Sequence, residues 1–428
     1  MGAFLAAAGR GASPLKVAFA GLCALVLSMG IGRFAYTALL PQMHASGELT
    51  LPEGSLLASA NYAGYLLGAL WAAFSRDPNS MRRLTLGVLL SVLTSAAMAL
   101  DAGKIVWFVL RFLAGVASAV VYIYTTGVVL RYLAQQRASG WNGLYYAGVG
   151  VGISLSALLA HVFQAAPQSW PGWLALGGVS ALAAVVALRG LWLADAASGP
   201  AQRARAESEP ERAAGGETDK DSDKDSDKES GHDEGEEASA TVAPMRWMVL
   251  AYGLAGLGYI INATFLPLML RSQTQAMDLA MLGWFLVGLA AIPATVLWVR
   301  LGVARGAYRA LLACTALQAL GVALPVLTGA PWAALSGALL LGGTFMGIAG
   351  LAQWLVRVPD PRHTVRRIGL MTAAYGVGQI AGPLLAALLV VGDDFTRPVL
   401  MASGALLLSC VCLLLSHRYE RLEEKAVG

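Results

Sequence analysis

The sequence predicts an all-α membrane protein of twelve transmembrane helices, arranged as two six-helix halves repeated in parallel. Of its 428 residues, 57% are hydrophobic and only 13% charged, a balance that a soluble core of this size cannot house. Apolar runs of about 20 residues, the length that crosses a hydrocarbon core, recur at roughly 16–42, 54–75, 83–102, 105–131, 141–164, 171–193, 246–270, 278–299, 307–328, 332–356, 367–391 and 397–416. They are continuous and lack the short alternation of an outer-membrane barrel, so they read as helices. Finally, the phrase Gly30-Ile-Gly-Arg-Phe-Ala-Tyr-Thr-Ala-Leu-Leu-Pro-Gln-Met43 is echoed 226 residues later by Gly256-Leu-Gly-Tyr-Ile-Ile-Asn-Ala-Thr-Phe-Leu-Pro-Leu-Met269. Both glycines, the Leu-Pro pair and the final Met coincide, which marks a duplicated membrane unit.

The first span follows Lys16 closely, yet it is too long for a cleaved signal peptide and no small-residue cleavage site follows it, so it reads as a retained helix. Pro41 and Pro267 are expected to end the first and seventh spans. The repeat continues in the fifth and eleventh spans, where Tyr146-Ala-Gly-Val-Gly-Val-Gly152 parallels Tyr375-Gly-Val-Gly378. The fourth and tenth pair Arg111-Phe-Leu-Ala-Gly115 with Gly342-Gly-Thr-Phe-Met-Gly347. These glycines lie inside apolar spans with no preceding strand and no phosphate-binding Lys, so close helix packing explains them better than a nucleotide site. Cys23, Cys314, Cys410 and Cys412 all fall within spans and offer neither a disulfide framework nor metal spacing.

Residues 194–244 interrupt this pattern with Glu, Asp, Ser, Gly and Lys, including Asp219-Lys-Asp-Ser-Asp-Lys-Asp-Ser-Asp-Lys-Glu229. A segment so polar cannot bury enough apolar surface to order itself. It divides the chain into 1–193, a disordered acidic linker at 194–244, and 245–428. With both termini inside, the basic residues between spans, leaving out the linker, divide seventeen to three in favour of the cytoplasmic side. Both termini and the linker are therefore expected in the cytoplasm of a multi-pass inner-membrane protein.

The Gly32-to-Met43 phrase, together with Tyr375-Gly-Val-Gly-Gln-Ile-Ala-Gly-Pro-Leu-Leu385, resembles the major facilitator superfamily of secondary transporters, in particular its bacterial YbfB/YjiJ branch. The likeness covers nearly the whole chain outside the acidic linker. It implies alternating access to a central cavity lined in part by the first and fourth spans. Arg111-x-x-x-Gly115 in the fourth span is similar to a superfamily pattern often linked to ion coupling.

Charge inside the membrane is the sharpest chemical clue, because an ionised side chain at helix centre costs about 3 kcal/mol on insertion scales and persists only where something offsets it. Arg33 and Arg111 are such residues, and no Asp or Glu lies well inside any span. Two arginines turned towards one cavity repel each other, and an anionic substrate is the natural partner that would hold both. Tyr36, Asn61, Tyr122, Asn262 and Gln379 lie at compatible depth and complete the expected substrate site. Arg111 and His161 are the coupling candidates, with His44 near the outer face as another ionisable group. No nucleophile–base pair, metal cluster, cofactor motif or nucleic-acid surface accompanies them.

The expected function is secondary transport of a small organic anion by a monomeric protein that is not an enzyme and needs no cofactor. Two alternatives stay open: proton-coupled efflux of a neutral or lipophilic compound, and a transporter-like sensor signalling through the acidic linker.

Overall fold

The computed structural model describes residues 13–75, 80–197, 242–274, 276–357, 364–392 and 394–427. Most of the acidic linker therefore lies outside the described residues. Among those described, the chain is helical without β-strands: α1 (Pro14–Ala45), α2 (Leu51–Phe74), α3 (Ser80–Ala97), α4 (Lys104–Gln135), α5 (Asn142–Val162), α6 (Trp170–Ala197), α7 (Val242–Thr274), α8 (Met277–Arg305), α9 (Ala307–Thr328), α10 (Pro331–Arg357), α11 (Thr364–Leu389) and α12 (Thr396–Val427). Ten of them are long and apolar enough to cross a membrane. The two that fall short are α2 and α3. In α2 the polar residues Ser59, Asn61 and Tyr62 are buried inside the bundle, as are Ser91, Thr94 and Ser95 in α3, whose hydropathy is lowered mainly by Arg82 and Arg83 in its first turn.

Glycines set the helix spacing within each group of six. A Cβ on Gly30 of α1 would stand 2.4 Å from the Gly152 Cα of α5, and one on Gly256 of α7 would stand 2.6 Å from the Tyr375 carbonyl of α11. The same holds for α2 and α4, where Gly115 meets the Asn61 carbonyl at 2.0 Å, and for α8 and α10, where Gly342 meets that of Val287 at 2.1 Å. The repeated glycine phrases are thus repeated packing contacts, in which backbones approach as they do in small-residue membrane interfaces. Gly30→Val should force α1 and α5 apart at a cost of roughly 1–3 kcal/mol. The expected result is a lower unfolding temperature and lower folded yield in detergent; a parental melting curve would show that the two helices can separate freely.

Among the described residues the groups join chiefly through α1 with α7, α2 with α11, and α5 with α8. The Thr37 hydroxyl donates to the Ala263 carbonyl at 2.8 Å, Ser59 to Ile380 O at 2.9 Å, Ser154 to Phe285 O at 3.1 Å, and Tyr62 shares a 3.0 Å hydrogen bond with Thr264. Thr37 and Ala263 are also partners in the 226-residue repeat, so the pseudo-twofold axis relating the groups passes close to this bond.

Pro41 and Pro267 do not end their helices. Both lie inside, α1 running on to Ala45 and α7 to Thr274. Proline removes one backbone donor and leaves the carbonyl four residues earlier unpaired, which in α7 is Ala263 O, the atom that accepts from Thr37. The packing of α1 thus supplies the hydrogen bond that Pro267 takes away. At Pro41 itself, the backbone oxygen accepts from the Arg271 guanidinium.

The hydrogen bonds that join the two groups among the described residues share one end of the bundle. It is the end where α1, α5, α7 and α11 finish and α2 and α8 begin. At its rim Gln164 donates to Asp278 at 2.9 Å, and His161 Nδ1 stands 3.3 Å from the same carboxylate. Nearby, within the first group, the Lys104 ammonium meets Glu53 at 2.5 Å, which with the Thr50 hydrogen bonds holds the Glu53 carboxyl down to about 2.

Candidate functional site

The site is built around a break in α1. A π-helical turn at Val26–Ile31 shifts the hydrogen bonding by one residue, so that Gly32 N–H reaches Leu27 O at 3.0 Å and Phe34 N–H reaches Met29 O at 3.3 Å. The α-helix resumes at Ala35. Freed carbonyls in a membrane interior require partners, and neighbouring helices provide them. Ser118 of α4 donates to Ser28 O at 2.6 Å and Ser91 of α3 to Leu27 O at 3.3 Å. Arg111 of α4 donates to Gly32 O and Arg33 O, both at 3.1 Å. Asn61 of α2 reaches Gly32 O at 3.4 Å and Arg111 O at 2.9 Å.

Arg111 is thereby committed to backbone. It is 2% exposed, with both terminal nitrogens on carbonyls of the break and its guanidinium 4.7 Å over the Tyr36 ring. Tyr36 in turn donates its hydroxyl to Gly54 O at 2.8 Å. The expectation of two guanidinium groups turned towards one chamber gives way to a division of labour: Arg111, Asn61 and Tyr36 hold the break, and Arg33 projects from it.

Arg33 is 3% exposed, and among the described residues its side chain makes no hydrogen bond and meets no carboxylate; its Nε is buried without a partner. Its neighbours are aromatic. The guanidinium carbon lies 4.1 Å from the Tyr65 ring centre, 5.2 Å from Tyr62 and 5.6 Å from Phe34. Such contacts are worth about 2 kcal/mol each when desolvated, so the rings offset part of the burial cost while leaving the in-plane N–H donors unused.

The other group of helices faces this cation with a ladder of rings. Tyr252 stacks on Tyr375 at 4.4 Å and 24°, Tyr375 on Tyr259 at 5.6 Å and 17°, and Tyr259 on Phe345 at 6.0 Å and 4°. Gln379 donates to the Tyr259 hydroxyl, fixing that ring from α11. Tyr259 occupies the position in the repeat that Arg33 holds in α1, so the duplicated phrase supplies a cation from one side of the axis and a ring from the other.

Of the remaining expected site residues, Tyr122 is partly buried on α4 within electrostatic range of Tyr65 and Tyr252. Asn262 points away, donating to Val322 O of α9 at 3.3 Å. His161 sits at the exposed rim beside Asp278, and His44 Nδ1 lies 3.0 Å from Leu49 O at the same end. The residues that the sequence did not single out are Tyr62, Tyr65, Tyr252, Tyr259, Phe345 and Tyr375. Tyr259 and Tyr375 stood inside the repeated phrases, and aligning them with Arg33 and Tyr146 was the signal available.

Among solved structures, the nucleoside transporter NupG (D323A mutant) matches with a TM-score of 0.66 at 12% identity, covering 94% of this chain and 99% of that one. At that identity the likeness shows a shared fold. A search of curated proteins found no match. A family model described as "Uncharacterised MFS-type transporter YbfB" matches twice, over residues 25–216 and 224–415. Two six-helix groups about a pseudo-twofold axis, and a family match over most of the sequence, place the chain in the YbfB-type family of major facilitator transporters.

Proposed function

We propose that this transporter carries a small organic anion across the bacterial inner membrane by alternating access. Its twelve helices span the bilayer as two halves, 1–193 and 245–428, tethered by the acidic segment 194–244, with both termini cytoplasmic. One observation carries the substrate class: a buried guanidinium at the interface between the halves whose N–H donors meet no acceptor among the described residues. A carboxylate or sulfonate is the complementary ligand, since it takes two parallel hydrogen bonds from the guanidinium edge and removes an uncompensated charge. With no carboxylate beside Arg33 among the described residues, the substrate itself brings the negative charge.

The distribution of contacts supports a direction of opening. Among the described residues the hydrogen bonds between the halves gather at the end opposite the termini, which in the proposed topology supports a conformation closed to the outside and open towards the cytoplasm. Bridging Gln164→Cys to Asp278→Cys with a short bifunctional thiol reagent should stop transport in proteoliposomes while leaving ligand binding intact, and reduction should restore it. Undiminished transport by the bridged protein would mean that this rim does not have to part.

The substrate class is tested by thermal unfolding of the purified protein against small carboxylates, sulfonates, amines and neutral compounds. Stabilisation by anions alone is expected, growing with concentration as a ligand specific for the folded state requires. Stabilisation by neutral or cationic compounds alone would replace this reading with efflux of an uncharged compound.

A further inference from the structure

We infer that the anion is planar, an aromatic or fully conjugated carboxylate rather than an aliphatic one; the inference rests on the anion reading above and refines it. Arg33 is flanked by rings on its own side of the axis and faced by four more across it. A compact aliphatic anion needs only the cation and a few hydrogen-bond donors. Here the side-chain donors around the cation are mostly taken, Asn61 Nδ2 by Gly32 and Arg111, Thr37 by Ala263, Tyr62 by Thr264, and Gln379 by Tyr259, while Asn61 Oδ1 has no partner among the described residues. Ring surface, with the Tyr65 hydroxyl at its edge, is what remains on offer.

Two of these rings are placed to receive a ligand. Tyr65 and Tyr375 keep part of their surface accessible although they lie in the middle of the bundle, at the contact between α2 and α11. Tyr65 stacks on the guanidinium at 4.1 Å, and Tyr375 is held in the ladder by Tyr252 and Tyr259. A carboxylate on the in-plane edge of Arg33 directs its attached group outward between the halves, where a flat ring meets the accessible surface of Tyr65 and the free edge of Tyr375, whose two faces Tyr252 and Tyr259 cover, in offset and edge-to-face contacts that a saturated ring does not make. The four-ring ladder is pre-organised by its own stacking and by Gln379, so little side-chain freedom is lost when the ligand arrives.

The test is thermal unfolding of the full-length purified protein with benzoate and 2-naphthoate, each paired with its saturated counterpart, cyclohexanecarboxylate and decahydro-2-naphthoate, and with benzamide as the neutral planar control. The planar acids should bind about tenfold more tightly than their saturated partners. Tyr375→Phe should keep that preference, and Tyr375→Leu should erase it while weak, Arg33-dependent binding of both acids remains. The melting temperature of each ligand-free variant reports whether it is folded. Equal binding of planar and saturated acids, abolished together by Arg33→Gln, would overturn the inference and leave the anion reading standing. Binding of benzamide without either acid would overturn both. Absence of binding by both aromatic acids would also overturn the inference.

Discussion

Arg33→Gln should abolish anion-dependent stabilisation and reduce transport by roughly a hundredfold, the scale set by truncating one member of a buried hydrogen-bonded charge pair. The ligand-free variant should melt at or above the parental temperature. The reason is that the Arg33 side chain makes no hydrogen bond among the described residues and has a buried Nε without a partner, so its removal relieves a burial cost and orphans no neighbour. Arg33→Lys should fall between, because an ammonium keeps the charge and loses both the planar fork and the stack on Tyr65. Binding and melting curves on the three proteins decide the matter. If Arg33→Gln binds anions as the parent does, the guanidinium is not the anion site.

Arg111→Gln should do the opposite. Removing that guanidinium leaves Arg33 O without its described donor and Gly32 O with only the long bond from Asn61. Each orphaned carbonyl costs about 1–3 kcal/mol, and no water is available in the membrane interior to take its place. The variant should lose folded yield and melt well below the parent, and the molecules that do fold should bind ligand more weakly because Arg33 is no longer held by a fixed break. A variant with parental stability and no binding would instead make Arg111 a direct ligand contact. The pair of substitutions separates two arginines that share a depth and a neighbourhood: one is expected to stabilise the empty protein and the other to destabilise it.

How far each role was legible depends on what kind of partner a side chain has. Arg33 and Arg111 were legible together as costly intramembrane charges, because that cost follows from residue type and position in an apolar run. Their difference was not legible, since it depends on which carbonyls a π-turn releases and which helix comes within reach of them. Asn61 and Tyr36, expected beside a substrate, bond to backbone carbonyls, which was not legible for the same reason. Asn262 sits opposite Tyr36 in the repeat, but its helix turns it to α9. The prolines misled because a missing donor ends a helix only where nothing else satisfies the freed carbonyl, and for Ala263 the hydroxyl of Thr37 does so.

By itself the sequence determined the membrane class, the duplicated organisation and a buried cation without a buried anion, all consequences of local composition and periodicity acting against a low-dielectric solvent. Tertiary structure alone decided that Tyr62 and Tyr65 stack around that cation, that Tyr252, Tyr375, Tyr259 and Phe345 form a ladder facing it, and that the hydrogen bonds between the helix groups gather at one end among the described residues. Those contacts join residues as far apart as 321 positions, Ser59 to Ile380. Their energies arise only when two helices meet at a particular rotation, which side-chain spacing along one helix does not encode.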